Sequence, residues 1–113
     1  MHEVGITRSI IEIAEKHARE GGARKVLSLT VEIGELSGVV PEAVEFAFEA
    51  CSRGTLLEET KLVIEQIPGL ARCGDCRLET GIDRYSFACP ACDAFALEVL
   101  QGEELRIKEM EID

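Results

Sequence analysis

Between Ile6 and Glu20 the apolar residues Ile6, Ile10, Ile13, Ala14 and Ala18, joined by the amphipathic His17, recur at helical spacing. This predicts an amphipathic helix, with Thr7 or Ser9 as its cap and Gly21-Gly22 as its stop. From Val26 to Ile33 the period changes to two. Leu27, Leu29, Val31 and Ile33 fall on one face and Ser28, Thr30 and Glu32 on the other, as in a half-buried strand. Gly34 to Gly38 reads as a turn. Pro41 then opens a second helix, because its missing N–H is unneeded at the first helical position. Val44, Ala47, Phe48 and Cys51 form that helix's apolar stripe, and Gly54 ends it. Lys61 to Ile67 reads as a strand stopped by Pro68-Gly69. Beyond Gly102 a last strand runs from Glu103 to Ile112. Its apolar set moves from Leu105 and Ile107 to Met110 and Ile112, a change of parity that predicts a bulge.

These elements specify an α+β fold, a small three-stranded sheet with two helices over one face. Residues 71–102 hold four of the five cysteines and few aliphatics, so they read as a separate unit inserted into that sheet. The expected organisation is an α+β domain over residues 1–70, completed by the strand of residues 103–113, with a cysteine-bearing module over 71–102.

The formal charge of -10 arises from 22 acidic and 12 basic side chains. Acidic groups outnumber basic ones in each of the three segments, so phosphate-driven binding to nucleic acid is opposed, as is binding to an anionic membrane. No apolar run is long enough to span a bilayer. The start Met1-His2-Glu3, followed by Glu12 and Glu15 in the first apolar stretch, lacks the basic and uncharged regions of a secretory signal. A cytoplasmic location is therefore expected, where cysteines stay reduced.

Cys73-Gly74-Asp75-Cys76 and Cys89-Pro90-Ala91-Cys92 are two CxxC knuckles with 12 residues between them. Two residues between cysteines let a tight turn aim both sulfurs at one ion, and two such turns supply the four thiolates of a structural zinc site. A redox dithiol and a pair of disulfides are the rival readings. About 32 residues bury too little apolar surface to fold unaided, and structural zinc, worth about 10–16 kcal/mol apparent at neutral pH, would supply the deficit. All four ligands come from protein, which leaves no open position for catalysis at the metal. The fifth cysteine, Cys51, reads as a core thiol.

The amino terminus carries a second candidate metal site. A bulky second residue should protect the initiator methionine from removal. The Met1 amine, the His2 backbone nitrogen and the His2 imidazole can then close adjacent chelate rings, with Glu3 adding a nitrogen or its carboxylate. Nitrogen-rich, near-planar sets suit Ni(II) or Cu(II). Imidazole or amine protonation would release the ion. The bland alternative is a solvated terminal histidine. His17, near the far end of the first helix, reads as an ordinary helix residue.

With these residues in view, the chain resembles the HypA/HybF family of hydrogenase nickel-incorporation proteins over essentially its whole length. The resemblance is carried by Met1-His2-Glu3 and the first helix, by Ile33-Gly34-Glu35-Leu36-Ser37-Gly38, by Pro41-Glu42-Ala43 and by Phe46-Ala47-Phe48. The two knuckles and the closing Glu104-Leu105-Arg106-Ile107 complete it. It implies a nickel-binding domain of three strands and two helices joined to a zinc ribbon. It further implies delivery of Ni(II) to the large subunit of a [NiFe] hydrogenase in cooperation with the GTPase HypB. By the same resemblance His2 is the nickel ligand with Met1 and Glu3 contributing, Cys73, Cys76, Cys89 and Cys92 hold zinc, and Glu35 is a candidate partner contact. Two departures stand out. Glycine commonly follows each knuckle, where Arg77 and Asp93 stand here, and the zinc module contains no histidine.

No nucleophile–base motif or phosphate-cradling glycine loop is present, so the expected role is metal delivery and not catalysis. A zinc-ribbon adaptor, a nucleic-acid-binding ribbon and nickel delivery to urease are the alternatives. Nothing in the sequence decides between a monomer and a homodimer.

Overall fold

The computed structural model describes residues 2–113, with side chains from Glu3 onward. Helix α1 (His2–Glu20) leads into strand β1 (Val26–Gly34), helix α2 (Pro41–Cys51) and strand β2 (Lys61–Ile67). Three short strands follow, β3 (Leu70–Cys73), β4 (Glu79–Gly81) and β5 (Leu97–Gln101), before β6 (Leu105–Ile112) closes the chain. β1 is central in the first sheet, parallel to β2 and antiparallel to β6, in the order β2-β1-β6. The last strand thus returns to the sheet of the first, as its pattern predicts. β3 is central in a second sheet ordered β4-β3-β5.

Both helices pack on one face of the first sheet. Ile11, Ala14, Ala18, Val44 and Phe48 meet Leu29, Val31, Ile33 and the fully buried Leu57. Burying one such aliphatic contributes about 1.5–3 kcal/mol of transfer free energy, and this is what holds the helices to the sheet. α2 starts as expected, with Pro41 in its first turn and no side-chain cap on Val40. It ends at Cys51, before the turn at Gly54, and Cys51 itself lies half-buried against the core.

Three expectations need correction. α1 begins at His2 and not near Ile6. Neither Thr7 nor Ser9 caps it, because the Thr7 hydroxyl donates to the Glu3 carbonyl at 2.5 Å, one turn back inside the helix. The buried stripe of α1 is also rotated by a fraction of a turn. Ile11 is buried, whereas Ile13 is 50% exposed and His17 lies on the surface. Finally, Leu27 faces solvent and Val26 is fully buried. The pairing of β1 with β6 shifts between Val26 and Ser28, and that irregularity reverses parity at the strand's start. A second shift, between Thr30 and Val31, skips Lys108 and is the bulge that the parity of β6 predicts.

The two sheets meet end to end through backbone. Gly34 N–H donates to the Glu104 carbonyl at 2.7 Å, Glu35 N–H to Ile67 at 2.9 Å, and Leu36 N–H to Gly102 at 2.7 Å. A Cβ on Gly34 would collide with the Gly102 carbonyl, and Gly102 itself holds φ +116. The molecule is correspondingly elongated, 54 × 27 × 16 Å. Its radius of gyration of 17.4 Å exceeds the roughly 13 Å of a compact chain of this length.

Candidate metal centres

Each knuckle is built from the same pair of backbone bonds. In the first, at the end of β3, Cys73 N–H donates to the Leu78 carbonyl and Arg77 N–H to the Cys73 carbonyl, both at 2.9 Å. In the second, Cys89 N–H donates to Ala94 and Asp93 N–H to Cys89, again both at 2.9 Å. These turns force the residue after each knuckle into the left-handed region, φ 70 at Arg77 and φ 60 at Asp93. Gly74 N–H donates to the Ala96 carbonyl at 2.8 Å and ties the knuckles together.

The four sulfurs lie within 4.8 Å of one another. Cys73 Sγ stands 3.7 Å from Cys92 Sγ, and Cys76 Sγ 3.5 Å from Cys89 Sγ. A tetrahedral ion with Zn–S bonds of 2.3 Å sets its sulfurs about 3.8 Å apart. The spacing and the donor set therefore both fit zinc. The paired sulfurs, 3.5 and 3.7 Å apart, stand well beyond the roughly 2.05 Å of a disulfide bond, and one cation at the centre reaches all four. Cys73 and Cys89 are buried and Cys76 and Cys92 face outward, so the cluster sits at the surface of the module.

The electrostatics point the same way. N–H groups of Cys76 and then Asp75 aimed at the Cys73 sulfur bring that thiol down to about 7, against the opposing effect of burial. The Ala94 N–H favours a Cys92 thiolate, but burial and the neighbouring thiols outweigh it and push Cys92 up to about 12. At Cys76 the Leu78 N–H is likewise outweighed, by Cys89 and by burial, and the thiol is raised. Four sulfurs this close cannot all be anions without a cation between them. Loading a metal must expel the protons of Cys76 and Cys92, so metal binding strengthens as pH rises.

The amino-terminal site is only partly visible. Met1 and the side chain of His2 lie outside the described residues. The helix begins at His2, so the backbone N–H groups of His2 and Glu3 fall in the first turn and have no intrahelical acceptor. Recruiting those nitrogens to a metal therefore breaks no helical bond. The Glu3 carboxylate accepts a long 3.5 Å bond from Val40 N–H, which brings the loop before α2 to the start of α1. His17 lies fifteen residues further along the same helix, roughly 22 Å from His2, too far to share an ion.

Glu35 is exposed on the wall of a cleft of about 330 Å³, where the Gly34–Pro41 loop faces Asp83, Arg84 and Tyr85. The sequence carries no signal for that juxtaposition, because only the junction between the sheets creates it. The rest of the Gly34–Gly38 turn holds that junction, Ser37 Oγ donating to the Gly34 carbonyl at 2.7 Å and accepting from Val39 N–H at 3.2 Å.

Comparison with known proteins agrees with this architecture. Residues 1–112 match the family model described as hydrogenase/urease nickel incorporation, metallochaperone, hypA. A hydrogenase maturation factor HypA of Geobacter metallireducens is 54% identical over the full length of both chains, and one of Geobacter sulfurreducens is 52% identical, also over both full lengths. Among solved structures, the nickel metallochaperone HypA of Helicobacter pylori superposes with a TM-score of 0.69 at 26% identity, covering 97% of this chain and 96% of that one. Another HypA protein gives 0.70 at 28% identity, covering 99% and 96%. The chain belongs to the HypA family of hydrogenase maturation factors.

Proposed function

We propose that this protein is a nickel metallochaperone that carries Ni(II) at its amino terminus and delivers it to a [NiFe] hydrogenase during maturation, with a structural zinc elsewhere in the chain. The match to the nickel-incorporation family over residues 1–112 carries this reading. Nickel is cargo, held by the His2 imidazole together with the Met1 amine, backbone nitrogen and Glu3. Such a set suits the ion and releases it on protonation. Zinc is held by Cys73, Cys76, Cys89 and Cys92 and has no open position, so its contribution is shape. The protein is not an enzyme, and nucleotide hydrolysis in delivery belongs to the partner GTPase HypB. The hydrogenase large subunit is the recipient, a choice over urease favoured by the relatives' name of hydrogenase maturation factor. Residues 1–70 with strand 103–113 form the nickel-binding domain and residues 71–102 the zinc ribbon, both working in the cytoplasm without nucleic acid or membrane insertion.

The test is a Ni(II) titration of zinc-loaded protein beginning at Met1 with no added tag, beside His2→Ala. One tight nickel per chain that vanishes in His2→Ala while zinc is retained is the expected result. Equal binding in the two proteins would leave a zinc-stabilised adaptor as the better description.

A further inference from the structure

The outward face of α2 carries residues that the fold itself does not call for. Glu42, Glu45, Phe46 and Glu49 are all exposed on it, Phe46 to 84%, whereas Phe48 two residues on is buried in the core. Phenylalanine is a poorer helix former than alanine, so a Phe46 that buries almost none of its ring gains the helix nothing. Glu45 and Glu49 stand one turn apart as like charges, which weakens a helix. Glu49 also lies in the last turn, where the helix dipole disfavours an anion and no basic residue stands beside it. Among the described residues, none of Glu42, Glu45 and Glu49 forms an ion pair. Only Glu42, in the first turn, agrees with the dipole. Local rules broken together on one face, with no gain to the fold, point to function.

The surroundings say what would cover this face. A cleft of about 390 Å³ between α2 and β2 borders it, with Glu45, Glu49 and Glu58 in its walls beside Phe48 and Leu62, and no lysine or arginine lines it. An exposed aromatic ring among unneutralised carboxylates is complementary to an apolar socket rimmed by cations. The face also begins at the nickel end of the molecule. Val40, the residue before α2, is 49% exposed, and its N–H points to the Glu3 carboxylate at 3.5 Å. Phe46 stands six residues further on, about 9 Å along the helix axis. A standard interface covers about 800 Å² of each partner, enough to span both.

We propose that the outward face of α2 is the docking surface for the protein that receives the nickel. Phe46 enters an apolar socket on that protein, and Glu42, Glu45 and Glu49 meet lysine and arginine side chains around it. The recipient's identity, the hydrogenase large subunit, rests on the nickel-delivery reading above. The charge of -10 on this chain steers such a basic surface towards it, so association is fastest at low salt.

Binding of the full zinc- and nickel-loaded chain to the purified large-subunit precursor, measured by biolayer interferometry at two salt concentrations, tests this. Phe46→Ala should weaken binding about tenfold or more. Glu45→Lys combined with Glu49→Lys should weaken it by a similar factor at low salt and remove most of the salt dependence. Both variants replace residues that disfavour the helix, so their melting temperatures should equal or exceed that of the parent while binding falls. Unchanged affinity in both variants overturns the proposal. So does an affinity for the precursor that survives in both while binding to the GTPase HypB is lost, since the face would then serve a different occupant. A parent chain that does not bind the precursor at all overturns it too, and the nickel titration beside His2→Ala still decides the nickel reading separately.

Discussion

Arg77 and Asp93 occupy equivalent places after the two knuckles, and both carry the positive φ that the turn geometry imposes. A side chain with a Cβ pays about 1–2 kcal/mol in that region, and aspartate visits it more readily than arginine. Arg77→Gly should therefore stabilise the zinc-loaded protein by up to about 1 kcal/mol, after allowance for glycine's greater freedom in the unfolded chain. Asp93→Gly should gain less. Thermal denaturation of the two variants decides it, and a larger gain at Asp93 would contradict the strain argument. The sites for these substitutions are legible from sequence alone, because two CxxC knuckles of equal length imply equivalent turns. The geometry of the nickel site is less legible, because its proposed ligands fall on the first three residues, where no periodicity or packing pattern constrains them.

At the level of elements, the sequence predicts both helices, the three strands of the first sheet and the bulge in β6, since each rests on a periodicity, or a break in one, that spans several residues. It misplaces Leu27, because a local shift in pairing at a strand end leaves no trace in the hydrophobic pattern. The junction between the sheets was also beyond its reach. Gly34 reads as the start of a turn and Gly102 as the boundary before the last strand, yet their role is close approach of backbone from strands distant in sequence. Gly102→Ala should expose this role. Its Cβ would fall 2.7 Å from Gly69 Cα and 3.0 Å from the Leu36 side chain, at a φ that alanine rarely adopts. A loss of about 2–3 kcal/mol is expected in denaturant unfolding, against less than 1 kcal/mol for Gly22→Ala. Gly22 also has positive φ but meets no atom within 4 Å, so it isolates conformational strain from crowding. Equal losses at the two positions would show that crowding at the junction contributes nothing.

On the scale of the whole molecule, the two sheets have different sources of stability. The first rests on a core of apolar side chains to which all five of its elements contribute, α1, β1 and α2 with buried residues and β2 and β6 with partly buried ones. The second leaves Tyr85, Phe87 and Phe95 largely exposed, and its buried side chains are few beyond Ala71, Cys73 and Cys89. A zinc ion held by the four cysteines would supply the stability that so small a core lacks. The second sheet leaves the first at Ile67 and rejoins it at Glu104, positions bonded to the consecutive residues Glu35 and Gly34. Unfolding the insertion replaces a rigid bridge between these points with a flexible loop, at a closure cost on the order of 3 kcal/mol to the first sheet. Chelating zinc should accordingly abolish amide protection in β3, β4 and β5 while β1 and β2 keep theirs at reduced stability. Acid should act in the same way. The raised thiols of Cys76 and Cys92 take protons that the loaded site lacks, so falling pH favours the apo form and rising pH the loaded one. Residue-resolved hydrogen exchange with and without chelator reads both sheets in one experiment. Protection in β3–β5 that survives zinc removal would refute a structural metal, and simultaneous collapse of β1 and β2 would show the two sheets to be one cooperative unit.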